Sequence, residues 1–201
     1  MQRQLLDLLE IASGQEFPSP DTLELDLRPE LYEDAARLLP DGPEYIGFAP
    51  GSGGPPKCWP LENFIDLASR TTEHGRTPVF FLGPQEEGWL EQIKVGVPGA
   101  LFPLQDEIAA NPLGPSPLLT IAMSKRLRAA ISNDSGAGHM FAVGGVPVVI
   151  LYGVTRPDKF QPMTDKLIMV RAQDFGGAEM RRIPVESVKQ ALDDVIKAHG
   201  A

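Results

Sequence analysis

Short apolar runs of strand length alternate with helix-length amphipathic stretches over most of this chain. That alternation restricts the folds open to it more than any other feature. The runs fall at residues 45–49 (YIGFA), 78–82 (PVFFL), 99–103, 129–132 (AAIS), 146–151 (VPVVIL) and 166–170. Between them, residues 61–73, 86–93, 118–126, 137–143 and 185–198 carry helical patterning, and Phe64, Ile65, Leu67 and Ala68 mark the inward face of the first. Strands this short and this evenly apolar are buried on both sides, which happens when helices cover a parallel sheet from above and below. The pattern predicts an α/β fold: a parallel sheet with helices on both faces.

Upstream, residues 1–14 read as a helix with Leu5, Leu6, Leu8, Leu9 and Ile11 on its apolar face and Gly14 as its stop. Residues 15–30 are rich in proline and acids, and the alternation of Leu23, Leu25 and Leu27 with Glu24 and Asp26 allows a short edge strand at most. Residues 30–39 read as another helix. The expected division is therefore a lead-in of helix and connector over residues 1–43, and the main domain over residues 44–201.

Composition removes several function classes. Lys and Arg number 18 against 27 Asp and Glu, a net charge of −9. That is the wrong sign for nonspecific contact with DNA or RNA, so no nucleic-acid partner is expected. It leaves room for a local cationic pocket. The single cysteine, Cys58, excludes an internal disulfide. With only three histidines beside it (His74, His139, His199), the usual zinc sites are not available. No apolar run approaches the roughly 18–20 residues of a membrane span. Asp7 and Glu10 interrupt the apolar pattern of the first helix, unlike a signal peptide. A cytoplasmic setting is the expectation.

In an open parallel sheet, ligands bind beyond the carboxyl ends of the strands. Three unusual loops leave strands on that edge: residues 50–57, 83–86 and 133–139. The first, PGSGGPPK, lets backbone N–H groups approach a ligand closely, adds the Ser52 hydroxyl and sets Lys57 at the head of a helix, where the macrodipole also favours anions. It is not a G-x-x-x-x-G-K-[ST] loop, because Cys58 follows Lys57. It reads equally as a Gly/Pro turn with a solvated lysine. In the third, SNDSGAGH, Asp134 or Ser135 can cap the next helix, Gly136 and Gly138 open its first turn, and the N–H groups of residues 135–137 can face a phosphate. His139 lies one turn in, placed to donate to a phosphate or ribose. An ordinary N-cap with a histidine packed on the sheet has the same sequence. The second loop puts Glu86 just after a strand, where a carboxylate can accept from both hydroxyls of a ribose. Glu86 and Glu87 also suit the first turn of a helix. A Ser135–His139–Asp134 hydrolase triad is disfavoured, because G-x-S-x-G is absent and the histidine follows on the same helix. An oxidoreductase of the dinucleotide-binding type is disfavoured by the lack of G-x-G-x-x-G.

The motifs in order are APGSGG, then KCWPLENF, then L-G-P-x-E, then SNDSGAGHM, then GVPVVILYGVT. Over residues 44–162 this series closely resembles glycosyltransferase family 9, which includes the ADP-heptose:lipopolysaccharide heptosyltransferases. The resemblance implies the GT-B architecture, with two Rossmann-like domains facing each other across a cleft. This chain resembles the C-terminal, nucleotide-sugar-binding half, with Met1 as the start of a fragment. It also implies residue roles. Ser52 and Gly53 lie where the family contacts the donor pyrophosphate, and Lys57 matches the lysine that neutralises it. Glu86 matches the acid on the ribose. Asp134, Ser135, Gly136 and His139 match the D-[ST]-G-x-x-H signature around the diphosphate and the transferred sugar. Gly138 stands where the family usually carries a larger apolar residue, a departure expected to loosen the site.

The expected function is donor binding in an inverting, metal-independent glycosyltransferase of lipopolysaccharide or other cell-surface glycan synthesis. No Asp-x-Asp motif is present to hold a divalent ion, so the leaving diphosphate falls to Lys57 and the helix N-terminus at residues 135–137. No cofactor and no metal are expected. The catalytic base and the glycan or lipid-linked acceptor are expected to belong to the N-terminal half, so that this chain alone is inactive, with the whole enzyme peripheral to the inner membrane. The alternative is a noncatalytic nucleotide-sugar-binding or assembly module.

Overall fold

The structure is a computed structural model that describes residues 11–14, 25–110 and 116–199. Five strands, β1 (Tyr45–Ala49), β2 (Thr77–Phe80), β3 (Leu127–Asn133), β4 (Val148–Tyr152) and β5 (Leu167–Arg171), form one sheet in the order β2-β1-β3-β4-β5. Every pairing is parallel, with Phe48 opposite both Phe80 and Ile131. The helices are α1 (Pro29–Leu38), α2 (Leu61–Glu73), α3 (Leu90–Gly96), α4 (Pro103–Ala110), α5 (Pro117–Ser124), α6 (Gly136–Val143), α7 (Pro157–Phe160) and α8 (Val185–His199). The expected α/β class is what the chain adopts.

Alternate side chains of each strand go to opposite faces. Ile46, Phe48, Ile131 and Leu151 join Phe64 and Leu67 of α2 and Leu192 and Val195 of α8 in one core. Tyr45, Ala49, Ala130 and Ile150 join Ala35 of α1, Met123 of α5 and Phe141 of α6 in the other. Burial on both faces explains why the strands read as unbroken apolar runs. Helix α2 forms because its buried residues Phe64, Leu67, Ala68 and Thr71 recur at helical spacing, with Glu62 in the first turn and Arg70 in the last. It stops before Gly75, whose φ of +74° an L side chain rarely adopts.

The strand order places the site. From β1 the chain runs out to β2, then returns past β1 to β3. Helix α2 lies on one face and α5 on the other. Between β1 and β3 the connections part, and a crevice opens at the carboxyl ends of these two strands.

Several expectations are corrected. Residues 99–103 do not form a strand: Leu101 alone makes a parallel bridge, to Val79, because Gly99 turns just before it and Pro103 opens α4 just after. Residues 25–28 are not a strand either. Leu27 is buried with the core beside α1 instead, and Leu23 and Glu24 lie outside the described residues. The helix expected through residue 93 begins as a 3-10 turn, Pro84–Trp89, before α3. Of the helix expected over residues 1–14, residues 11–13 are helical and residues 1–10 lie outside the described residues.

Candidate functional site

The loop after β1 leaves the sheet at Pro50 and returns to the core at Trp59, which is fully buried. The Trp59 ring meets Phe64 edge-on at 5.0 Å, and its Nε1–H donates to the Ile183 carbonyl at 2.9 Å. Within the loop, Gly54 takes φ +143° to enter the 3-10 turn Pro55–Lys57. The Asn133 amide reaches across from the end of β3. Its Nδ2 donates to the Pro50 carbonyl at 2.7 Å, and its Oδ1 accepts from the Trp59 N–H at 3.0 Å. Ser52 Oγ donates to the Asp134 carbonyl at 3.1 Å.

The loop after β3 delivers the N-terminus of α6. Ser135 stands at the N-cap with extended backbone (φ −152°, ψ 171°), yet its side chain accepts no bond from the helix. The Ser132 hydroxyl donates to the Asn133 carbonyl at 2.6 Å and lies 3.1 Å from Ser135 Oγ, so Ser135 is the donor of that pair. The capping expected of Asp134 or Ser135 is therefore absent, and among the described residues no side chain caps the first N–H groups of α6. At Gly138 a Cβ would come 2.5 Å from Ile150 Cδ1, so α6 lies close against β4 there.

The loop after β2 brings in Glu86, only 8 % exposed. Its Oε2 accepts from the Gly83 N–H at 3.0 Å, the helix-capping role that a third-position glutamate plays. The carboxylate lies in a cradle of two glycines. A Cβ on Gly51 would sit 2.5 Å from Glu86 Cδ, and one on Gly83 would sit 2.8 Å from Oε2. Burying a carboxylate is costly unless donors surround it. Among the described residues none gives Glu86 an ion pair within 4.0 Å.

These loops bound a cavity of about 370 Å³. Phe81, Leu104 and Met140 form its apolar wall, while Ser52, Glu86 and Ser135 bring polar groups, with Gly51, Gly53 and Gly136 between them. The lining thus combines apolar side chains with backbone N–H groups and hydroxyls. Glu86 lies in the wall of this cavity as a buried group, not at an exposed rim. Lys57, Asp134 and His139 are not among the residues that line it. Lys57 is half-buried in the 3-10 turn, and His139 is exposed on α6. Asp134 stands beside Tyr152, whose hydroxyl is pushed up first by burial and then by that carboxylate. Ser135 bonds Ser132 and not His139, so no hydrolase dyad forms. Burial raises the Cys58 thiol, and the negative charge of Glu86 raises it further. Among the described residues no group of three or more His, Cys, Asp or Glu is placed to hold a metal ion.

Sequence reasoning missed Asn133, Gly51 and the apolar wall. Asn133 had one signal, a polar residue ending an apolar strand. Its partners lie 83 and 74 positions away, so spacing could not reveal them.

Comparison with known proteins gives a consistent result. A sequence model described as glycosyltransferase family 9 (heptosyltransferase) matches residues 2–187. The chain is 31 % identical over 142 residues to the lipooligosaccharide heptosyltransferase 2 of Haemophilus influenzae, a match covering 70 % of this chain and 40 % of that protein. The chain therefore spans less than half the length of the curated relatives it matches. Among solved structures, the glycosyl transferase family 9 protein of Veillonella parvula superposes with a TM-score of 0.79 at 24 % identity, over 96 % of this chain and 58 % of that one. The E. coli ADP-heptose lps heptosyltransferase II superposes with a TM-score of 0.72 at 22 % identity, over 92 % of this chain and 57 % of that one.

Proposed function

The chain belongs to glycosyltransferase family 9, and from that premise we propose that it is the nucleotide-sugar-binding half of an inverting, metal-independent glycosyltransferase of lipopolysaccharide or related surface-glycan synthesis. The observation that carries the reading is the meeting, in one cavity, of a helix N-terminus without a side-chain cap and a buried carboxylate without an ion-pair partner, both among the described residues. An uncapped N-terminus attracts an anion, and a lone carboxylate attracts hydroxyl donors. A ribonucleoside diphosphate carries both. Its base lies against Phe81, Leu104 and Met140, its ribose hydroxyls donate to Glu86, and its diphosphate meets Ser52, Gly53, Ser135 and Gly136. Lys57, Asp134 and His139, outside the cavity wall, serve the distal phosphate and the transferred sugar. An adenine donor fits the name of the solved E. coli relative, an ADP-heptose enzyme.

In the proposed reaction an acceptor hydroxyl attacks the anomeric carbon from the face opposite the diphosphate. The new carbon–oxygen bond forms as the bond to the diphosphate oxygen breaks, inverting the centre. The acceptor proton passes to a base in the acceptor-binding half, and the electron pair leaves on the nucleoside diphosphate. Charge growing on that leaving group is met by the α6 N–H groups at the cavity and by Lys57 from the neighbouring 3-10 turn. Residues 1–43 serve as connector, and residues 44–201 as the donor domain. The whole enzyme works at the cytoplasmic side of the inner membrane, on a glycan or lipid-linked acceptor.

The test is isothermal titration of the chain with ADP, UDP and ADP-heptose. Saturable binding of ADP and ADP-heptose, tighter than UDP, is expected. Absence of any nucleotide binding would sink the reading. Binding that persists without sugar transfer when a family acceptor-binding half is supplied would favour the noncatalytic module.

A further inference from the structure

We infer that Asn133 is a positioning residue for the donor, a clamp that sets the loop after β1 in register with the N-terminus of α6. The inference rests on the donor reading above and adds a residue to which that reading gives no role. The β1–β3 ladder ends at Ala49 opposite Ser132. One residue further on, the Pro50 carbonyl has lost its strand partner, and the Asn133 side chain takes over, donating from Nδ2 at 2.7 Å. Nine residues later the chain re-enters the core, and the Trp59 N–H donates to Oδ1 of the same amide at 3.0 Å. Both ends of the loop therefore close on one planar group. The backbone of Asn133 is itself held in the sheet, opposite Leu151 of β4, and its side chain is fully buried.

The chemistry explains why this position needs an amide. A donor and an acceptor are required at once, on atoms of one rigid group. An ionised aspartate offers only acceptors, and an aliphatic side chain offers neither. Left unmet, the buried Pro50 carbonyl and Trp59 N–H would seek water, and the loop would open. The loop has few other ties to the site. Its own bonds, Lys57 N–H to Gly54 O and Cys58 N–H to Pro55 O, only shape the 3-10 turn. Apart from Asn133, the tie to the α6 side is Ser52 to the Asp134 carbonyl. Because Asn133 immediately precedes Asp134, its two bonds, with that of Ser52, set the separation between the two grips on a diphosphate, residues 51–57 and residues 135–137.

Amide hydrogen exchange and titration with ADP and adenosine together test this. In the unsubstituted chain the Trp59 N–H, outside any strand, should exchange as slowly as the β1 and β3 ladder amides. In Asn133→Val, amides of residues 57–59 should exchange faster while the ladder amides keep their protection. ADP affinity should fall about tenfold, as expected for the loss of positioning by two hydrogen bonds. Adenosine, which needs Glu86 and the apolar wall but not the diphosphate grips, should change by less than about twofold on the same scale. Fast exchange of Trp59 in the unsubstituted chain overturns the clamp, whether or not the variant folds. Equal losses for ADP and adenosine, or an unchanged ADP affinity, overturn the positioning role. If the unsubstituted chain binds no ADP, the donor reading and the positioning role fall together, while the exchange measurement still decides the clamp.

Discussion

Glu86 has no ion-pair partner within 4.0 Å among the described residues, and its neighbour Cys58 gives a way to measure its effect. Burial first, and Glu86 second, hold the Cys58 thiol above its ordinary range. Glu86→Gln removes the second cause, so the thiol pKa should fall. Cys58 is the single cysteine of the chain, and its alkylation by iodoacetamide below that pKa should speed up, because the thiolate is the reactive form. An unchanged pH profile would place Glu86 too far away to matter. Lys57→Ala should weaken ADP by about 1.5–3 kcal/mol, the scale of a charged hydrogen bond, with folding unaffected. Titration calorimetry beside a melting curve separates the two effects. The sequence singled out Ser52, Gly53, Glu86, Ser135 and Gly136, and the fold brings these five to one cavity. It also singled out Lys57, Asp134 and His139, which lie outside the lining. Sequence spacing shows which residues share a loop, but which way a side chain points depends on packing from distant elements. For the same reason Asn133 and Gly51 were invisible: the first needs Pro50 and Trp59 as partners, and the second matters only because Glu86 lies against it.

At the scale of elements, legibility followed burial. β1 and α2 fall where their patterns put them, because one is buried on both faces and the other on a regular stripe. The error at residues 99–103 arose where an apolar run has one residue in register with a neighbour, and apolar character alone cannot distinguish a bridge from a strand. Helix α5 is a clearer case. It is buried almost throughout, so it has no polar face to mark its period, and its start is marked instead by Ser116 followed by Pro117. Ser116 Oγ accepts from the Leu119 N–H at 3.1 Å, an N-cap with proline at the first helical position. Ser116→Ala should cost about 1 kcal/mol, seen as a lower denaturant midpoint at unchanged slope. A wild-type midpoint would mean that packing alone defines this end of α5.

For the whole molecule, a ligand that binds only the folded chain adds to its stability by mass action. ADP at about a hundred times its dissociation constant should add about 2.7 kcal/mol. In a chain of this size that raises the melting temperature by roughly 5–10 °C. Adenosine at matched saturation should give the same shift, and inorganic phosphate far less. A shift with phosphate equal to that with ADP would show an anion site without a nucleoside pocket. The cavity also has an order of assembly written into it. Its walls come from the end of β1, the loops after β1 and β2, α4, α5 and the start of α6, and Trp59, which closes the first loop, is tied to Ile183 across 124 positions. No short stretch of the chain holds a partial site, because parallel neighbours lie far apart in sequence and meet only after long loops have closed. During synthesis, therefore, the nascent polypeptide has no complete site until the start of α6 is outside the ribosome, and no fastened one until residue 183 has followed. On the donor reading proposed above, nucleotide capture would then report that translation has passed residue 183.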